Sequence, residues 1–156
     1  MIPYYRQEKD WSCGAACFRM VLASLGIYRS ERYIIKLLGT NGRYGTRNKS
    51  FPLLAEKYLF DHIVQRNSSL DELRLAYRKG YKIIVNYHLR DEDTGHFSVV
   101  DKITAGSISL FDPWDGRRKY SLSLFLKAWN TVDFKLADVE KRWFFGMRDT
   151  HAKKKK

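Results

Sequence analysis

Residues 7–26 read QEKDWSCGAACFRMVLASLG, and this stretch decides the fold. From Cys13 to Leu25 only Arg19 and Ser24 are clearly polar, so the helix predicted there has no broad polar face and must be buried. Gly26 follows where a residue in the left-handed conformation ends a helix. A helix that is apolar nearly all the way round has to be covered by the elements after it. The polar residues 7–12 form the approach, which places Cys13 in the first helical turn.

That placement gives Cys13 a chemical use. Unpaired backbone N–H groups and the positive end of the helix dipole stabilise a thiolate, the form that attacks. Gly14 and Ala15 keep the surroundings of the sulfur small, so that a substrate backbone can come close. Cys13 is therefore the candidate nucleophile. Cys17, one turn further on, reads as a small core hydrophobe, and its spacing from Cys13 is a poor fit to disulfide geometry.

Working outward, Ser30 caps a second helix that runs through Leu38 and ends at Gly39. TNGRYGTRNKS, residues 40–50, is a basic, glycine-rich loop, and FPLLAEKYLF, 51–60, is a third short helix. Ser69 and Glu72 make a capping box opening a helix to Lys79, before Gly80. The period then changes. KIIVNYHL (82–89), GHFSVVDKI (95–103), SISLFDP (107–113) and RWFFGM (142–147) are short and rich in β-branched or aromatic residues, as strands are. SLSLFLKAWN (121–130) returns to helical spacing. Helices followed by antiparallel strands define an α+β fold, with the sheet expected in the second half of the chain.

A thiolate needs a proton acceptor, and His96, which follows Gly95 and opens a strand, can face a cleft. An orienting carboxylate comes from the next strand. With a three-residue loop through Thr104, Ala105 and Gly106, Asp112 stands opposite Ser98 and diagonal to His96 on one face. A two-residue loop would turn Asp112 to the other face unless a bulge near His96 restored the register. Gln7, six residues before the nucleophile, can supply an amide donor to an oxyanion beside the Cys13 N–H.

Gln7, Cys13-Gly14-Ala15-Ala16, then Gly95-His96-Phe97-Ser98-Val99-Val100 and Phe111-Asp112-Pro113 together resemble the C39 peptidase family and its stand-alone relatives. The resemblance covers most of residues 2–150. It implies a papain-like cysteine peptidase fold, with the buried N-terminal helix packed on an antiparallel sheet. It also implies hydrolysis of a peptide bond, with Gln7, Cys13, His96 and Asp112 at the family's functional positions. Its well-known members are N-terminal domains of bacterial export transporters that cut leader peptides after a double glycine.

Composition bounds the remaining readings. The 156 residues, 44% of them hydrophobic, are enough for one domain, expected over 1–150 with a disordered basic tail over 151–156. The net charge is +12, and Lys153, Lys154, Lys155 and Lys156 supply four of those charges. No apolar run approaches the ~18 residues of a membrane span, and the start of the chain lacks the apolar core of a secretory signal, so a cytoplasmic setting is expected. No cofactor is called for. A zinc site from Cys13, Cys17, His88 and His96 has a histidine spacing that matches no common site. The expected partner is a peptide or protein substrate. Two alternatives share these residues: a thiol acyl transferase or amidase at the same site, and a non-catalytic module whose basic loop, with Arg43, Arg47 and Lys49, binds nucleic acid or an acidic partner.

Overall fold

A computed structural model describes residues 1–88, 95–130 and 140–150. Among the described residues, five helices and six strands follow one another as α1 (Cys13–Ser24), α2 (Glu31–Leu38), α3 (Ser50–Lys57), β1 (Asp61–Gln65), α4 (Leu70–Arg78), β2 (Lys82–Tyr87), β3 (His96–Ile103), β4 (Ser107–Asp112), β5 (Gly116–Ser121), α5 (Leu122–Trp129) and β6 (Phe144–Arg148). The strands form one sheet in the order β1-β6-β2-β3-β4-β5. Every neighbouring pair is antiparallel. The fold is α+β, as the order of periodicities predicts. The basic tail at 151–156 lies outside the described residues.

The helix ends obey their local chemistry. α1 closes with the Gly26 N–H on the Ala23 carbonyl and the Ile27 N–H on the Leu22 carbonyl, Gly26 sitting at φ 86°. That is the glycine-terminated hydrogen-bond pair that consumes a helix's last carbonyls. The Ser30 hydroxyl accepts from Tyr33 N–H at the start of α2, and Ser69 and Glu72 exchange both bonds of their capping box at α4.

Sheet alternation sorts two apolar layers. Ile84, Phe97, Val99, Phe145 and Met147 pack with α1, α2 and α3, while Ile83, Val85, Val100, Leu110 and Phe144 pack with α4 and α5. Ala15, Ala16, Cys17, Phe18, Met20, Val21 and Leu22 of α1 are all fully buried, as an all-round apolar helix requires.

Two strands go beyond the four read from sequence, and β1 also departs from the expectation of a sheet confined to the second half. β1 lies in the first half and pairs with β6 at one edge, and β5 is the opposite edge. Both carry weak strand signals for a physical reason. β1 is only five residues long, and β5 reads GRRKYS with its three basic residues exposed. Charged edge strands discourage pairing with other chains, at the expense of the alternation that marks a strand in sequence.

Candidate active site

α1 delivers Cys13 as its first residue, and the residue before it behaves unusually. Ser12 precedes the helix but makes no side-chain cap. Its hydroxyl is held instead by the Lys9 N–H at 2.9 Å and by Glu31 Oε2 at 3.1 Å. The serine that would ordinarily satisfy a first-turn N–H is thus diverted, so those donors are left for what sits beside the sulfur. Glu31, at the start of α2, is 1% exposed and also accepts from the Glu8 N–H at 2.9 Å. Burial raises its carboxyl above the usual range, against the lowering effect of those two donors.

The hairpin of β3 and β4 delivers the other two groups. Its turn is closed by the Thr104 N–H on the Ser107 carbonyl at 2.9 Å, which leaves Ala105 and Gly106 at the tip. Carried on unchanged, the register of that tight turn would put Asp112 on the wrong face. A bulge corrects it: Ile103 pairs with Ile108 and Lys102 with Ser109, whereas beyond Asp101 Val100 pairs with Leu110 and Val99 with Phe111. Carried one residue beyond the Val99–Phe111 pair, that register sets Ser98 opposite Asp112. His96 Nε2 then meets Asp112 Oδ1 at 2.8 Å.

Asp112 is 2% exposed, and its Oδ1 also accepts from the N–H groups of Trp114 at 2.8 Å and Asp115 at 3.2 Å. Burial opposes its charge, but the His96 bond and charge and the two N–H groups outweigh burial and lower its pKa. His96 is likewise opposed by burial, yet its hydrogen bonds and charge interactions with Asp112 and Cys13 push it up to about 11. With Nε2 on Asp112, the nitrogen left for Cys13 is Nδ1. The Tyr87 ring stands edge-on to the imidazole at 5.9 Å, and its hydroxyl shares a 2.7 Å hydrogen bond with Ser98. Tyr87 is thereby locked behind the ring.

The N-terminal segment is tied to the same corner. Tyr4 O–H donates to the Asp112 carbonyl at 2.7 Å, and the Gln7 N–H donates to the Pro113 carbonyl at 2.9 Å. The Gln7 side chain is 6% exposed, and its Nε2 donates to the carbonyls of Lys9 at 2.7 Å and Asp10 at 3.2 Å. Its amide therefore braces the turn ahead of α1, while its Oε1 is buried without a partner.

Cys13 and His96 open on a cleft of about 380 Å³ whose walls include Trp11, Arg43, Tyr44 and Phe97. The wall facing α1 is the loop read from sequence as basic and glycine-rich. It folds as a small hairpin with a bridge between Asn41 and Gly45. Gly14 meets it so closely that a Cβ there would lie 2.5 Å from Thr46 Oγ1. Gly14 thus makes room for Thr46 against the helix, a tighter reason for a glycine than general openness around the sulfur. The one early signal of this wall is the Asn41-Gly42 pair, which favours tight turns. Trp114, at 44% exposed, lies under the Arg6 guanidinium at 5.1 Å and is not a cleft-wall residue. Among the described residues no cluster of metal-ligating side chains occurs, and no helix is long and apolar enough to cross a membrane.

The Peptidase C39 family model matches residues 1–138, and the chain belongs to that family. Among its relatives is an uncharacterized protein of Methanothermobacter marburgensis, 30% identical over 122 residues, which are 78% of this chain and 79% of that one. In structure the chain is similar to the peptidase domain of Streptococcus ComA, a bi-functional ABC transporter involved in quorum sensing. That match has a TM-score of 0.73 at 18% identity, covering 95% of this chain and 100% of that domain. A double glycine motif protease from an AMS/PCAT transporter, in complex with its leader peptide, matches with a TM-score of 0.65 at 17% identity, covering 95% of this chain and 93% of that one. At such identities the two structures speak for the papain-like fold.

Proposed function

We propose that this chain is a cysteine peptidase that hydrolyses a peptide bond, with Cys13 as nucleophile, His96 as acid and base, and Asp112 as the group that orients the ring. One observation carries the reading: a single imidazole with Asp112 Oδ1 2.8 Å from Nε2 and Cys13 as its other partner, at the wall of an open cleft.

The geometry supports the following cycle. The Cys13 sulfur attacks the scissile carbonyl carbon, and the oxygen takes up the charge beside the Cys13 N–H and the uncapped first turn of α1. Protonated His96 gives its Nδ1 proton to the leaving amine as the C–N bond breaks. Neutral His96 then takes a proton from water, the resulting hydroxide attacks the thioester, and the acid product leaves as the thiolate re-forms. Asp112, held by two backbone N–H groups, keeps Nε2 occupied throughout. Gln7 joins as an oxyanion donor by exchanging its longer bond, to the Asp10 carbonyl, for the substrate oxygen. A peptide as substrate agrees with the transporter protease of similar fold, whose structure holds a leader peptide.

The test is mass-spectrometric detection of new termini after incubation with a peptide library. The wild type is expected to generate them, and Cys13→Ala and His96→Ala to lower the rate by at least about a thousandfold. Undiminished cleavage by Cys13→Ala would remove the reading.

A further inference from the structure

The proposed cycle makes no use of the hairpin wall, which is built with more care than a plain loop needs. The Asn41 side chain accepts from the Arg43 and Tyr44 N–H groups, both at 2.9 Å, and the backbones of Asn41 and Gly45 bond each other in both directions. At its base Thr46 is 3% exposed, seated on Gly14, with its hydroxyl 2.7 Å from that of Thr40. On its flank Gly42 faces Trp11, where a Cβ would stand 3.3 Å from Nε1. The tip is therefore held in place before anything binds.

What the tip presents is cationic. The Arg43 guanidinium lies 5.1 Å and that of Arg47 5.3 Å from the Tyr44 ring centre. Neither forms an ion pair with a carboxylate among the described residues. Arg43 and Tyr44 line the cleft together with Cys13 and His96. Two guanidinium groups stacked on one aromatic ring lose part of their hydration and much of their freedom, which prepares them for a planar carboxylate.

We propose that Arg43 and Arg47, stacked on Tyr44, form a subsite for an acidic side chain of the substrate peptide, within a few residues of the scissile bond. The inference rests on the peptidase reading and gives it a substrate class. Asp10 lines the same cleft from the loop ahead of α1, so the cleft is not uniformly basic. The acidic preference belongs to one side of the scissile bond only, the side that runs along the hairpin.

Profiling of cleavage sites in a peptide library tests it, with wild type compared with the Arg43→Glu/Arg47→Glu double variant. The expected result is enrichment of Asp and Glu at one position on one side of the bond, by roughly tenfold, replaced by Lys and Arg in the variant. The far-UV circular dichroism spectrum and a cooperative thermal transition are the check that the variant is folded. Cleavage with no acidic enrichment, or enrichment that survives the charge swap, would overturn the subsite. Should the wild type cleave nothing, the peptidase reading fails, and the subsite is read separately from binding. Immobilised Cys13→Ala protein should then retain acidic peptides from the library and lose them on adding the two Arg→Glu changes. Equal retention of neutral peptides overturns the subsite, as does displacement of acidic peptides by a single-stranded oligonucleotide at equimolar concentration, which would assign the hairpin to phosphates.

Discussion

Asp112 concentrates three hydrogen bonds on one carboxylate oxygen, from His96 and from the N–H groups of Trp114 and Asp115. The aspartate that anchors the turn and the aspartate bonded to the imidazole are thus the same residue. The two backbone donors fix the carboxylate, and the carboxylate fixes the ring. Because Asp112 and Cys13 together hold His96 up at about 11 against the desolvation that burial imposes, the ring is expected to keep its second proton well past pH 8. Removing the negative charge with Asp112→Asn should bring that titration down toward the ordinary 6.5. Following the His96 ring-proton NMR shift against pH checks both halves. An unchanged titration in the variant would show that Asp112 does not act on the ring. Cys13 and His96 were legible as residues because a cysteine in a first helical turn and a histidine opening a strand have few reasons to occur together. The Gln7 amide was not legible in the same sense: sequence gives its distance from Cys13 in residues, while the carbonyls of Lys9 and Asp10 that hold its Nε2 belong to a turn whose shape is set by Ser12 and Glu31.

At the scale of elements, the start of α1 is shaped by its neighbours. Glu31 of α2 holds Ser12 and Glu8, and the 41–45 hairpin is pressed onto Gly14. Glu31→Ala leaves the Glu8 N–H without its acceptor and the Ser12 hydroxyl with the Lys9 carbonyl alone, and is expected to cost about 1–3 kcal/mol. Glu31→Gln keeps an acceptor oxygen and should cost less; urea denaturation ranks the two. Gly14→Ala puts a methyl group 2.5 Å from Thr46 Oγ1 and 2.6 Å from its Cβ, with an expected loss of about 1–3 kcal/mol from overpacking. Thr46→Ala leaves that Cβ in place and should rescue little, whereas Thr46→Gly should rescue more, read by the same denaturation. The β3–β4 pair shows where reading by elements meets its limit. Sequence patterns give two strands and a short turn, but whether Asp112 faces His96 depends on the single extra residue at Asp101. Nothing in the side chain of an aspartate announces a bulge. β1 and β5 escaped notice because an edge strand needs only one partner and carries charges or polar ends in place of a clean alternation.

Across the whole molecule, the site joins three parts of the chain: the N-terminal segment with α1, the 41–47 hairpin, and the β3–β4 pair. The core that holds them was readable, since an all-round apolar helix allows little besides burial against a sheet and its helices. Linkage ties the site to overall stability. His96, raised in the folded state, contributes stability that is fully present below its unfolded value of 6.5 and is lost as pH rises toward about 11. Asp112, lowered in the folded state, contributes stability that is present above its ordinary 3.8 and is lost as pH falls through its folded value. The Tm advantage of wild type over Asp112→Asn is therefore expected to peak between those two ordinary values and to shrink on both sides, as differential scanning calorimetry across pH would record. Whether Cys13 and His96 act as one unit is read from iodoacetamide labelling at about pH 6 with peptide mapping, on wild type and His96→Ala. Cys13 is expected to be labelled far faster than Cys17, and His96→Ala to abolish most of that rate while the protein stays folded. Slow labelling of Cys13 in the wild type, or equally fast labelling in both proteins, would contradict their acting as one unit.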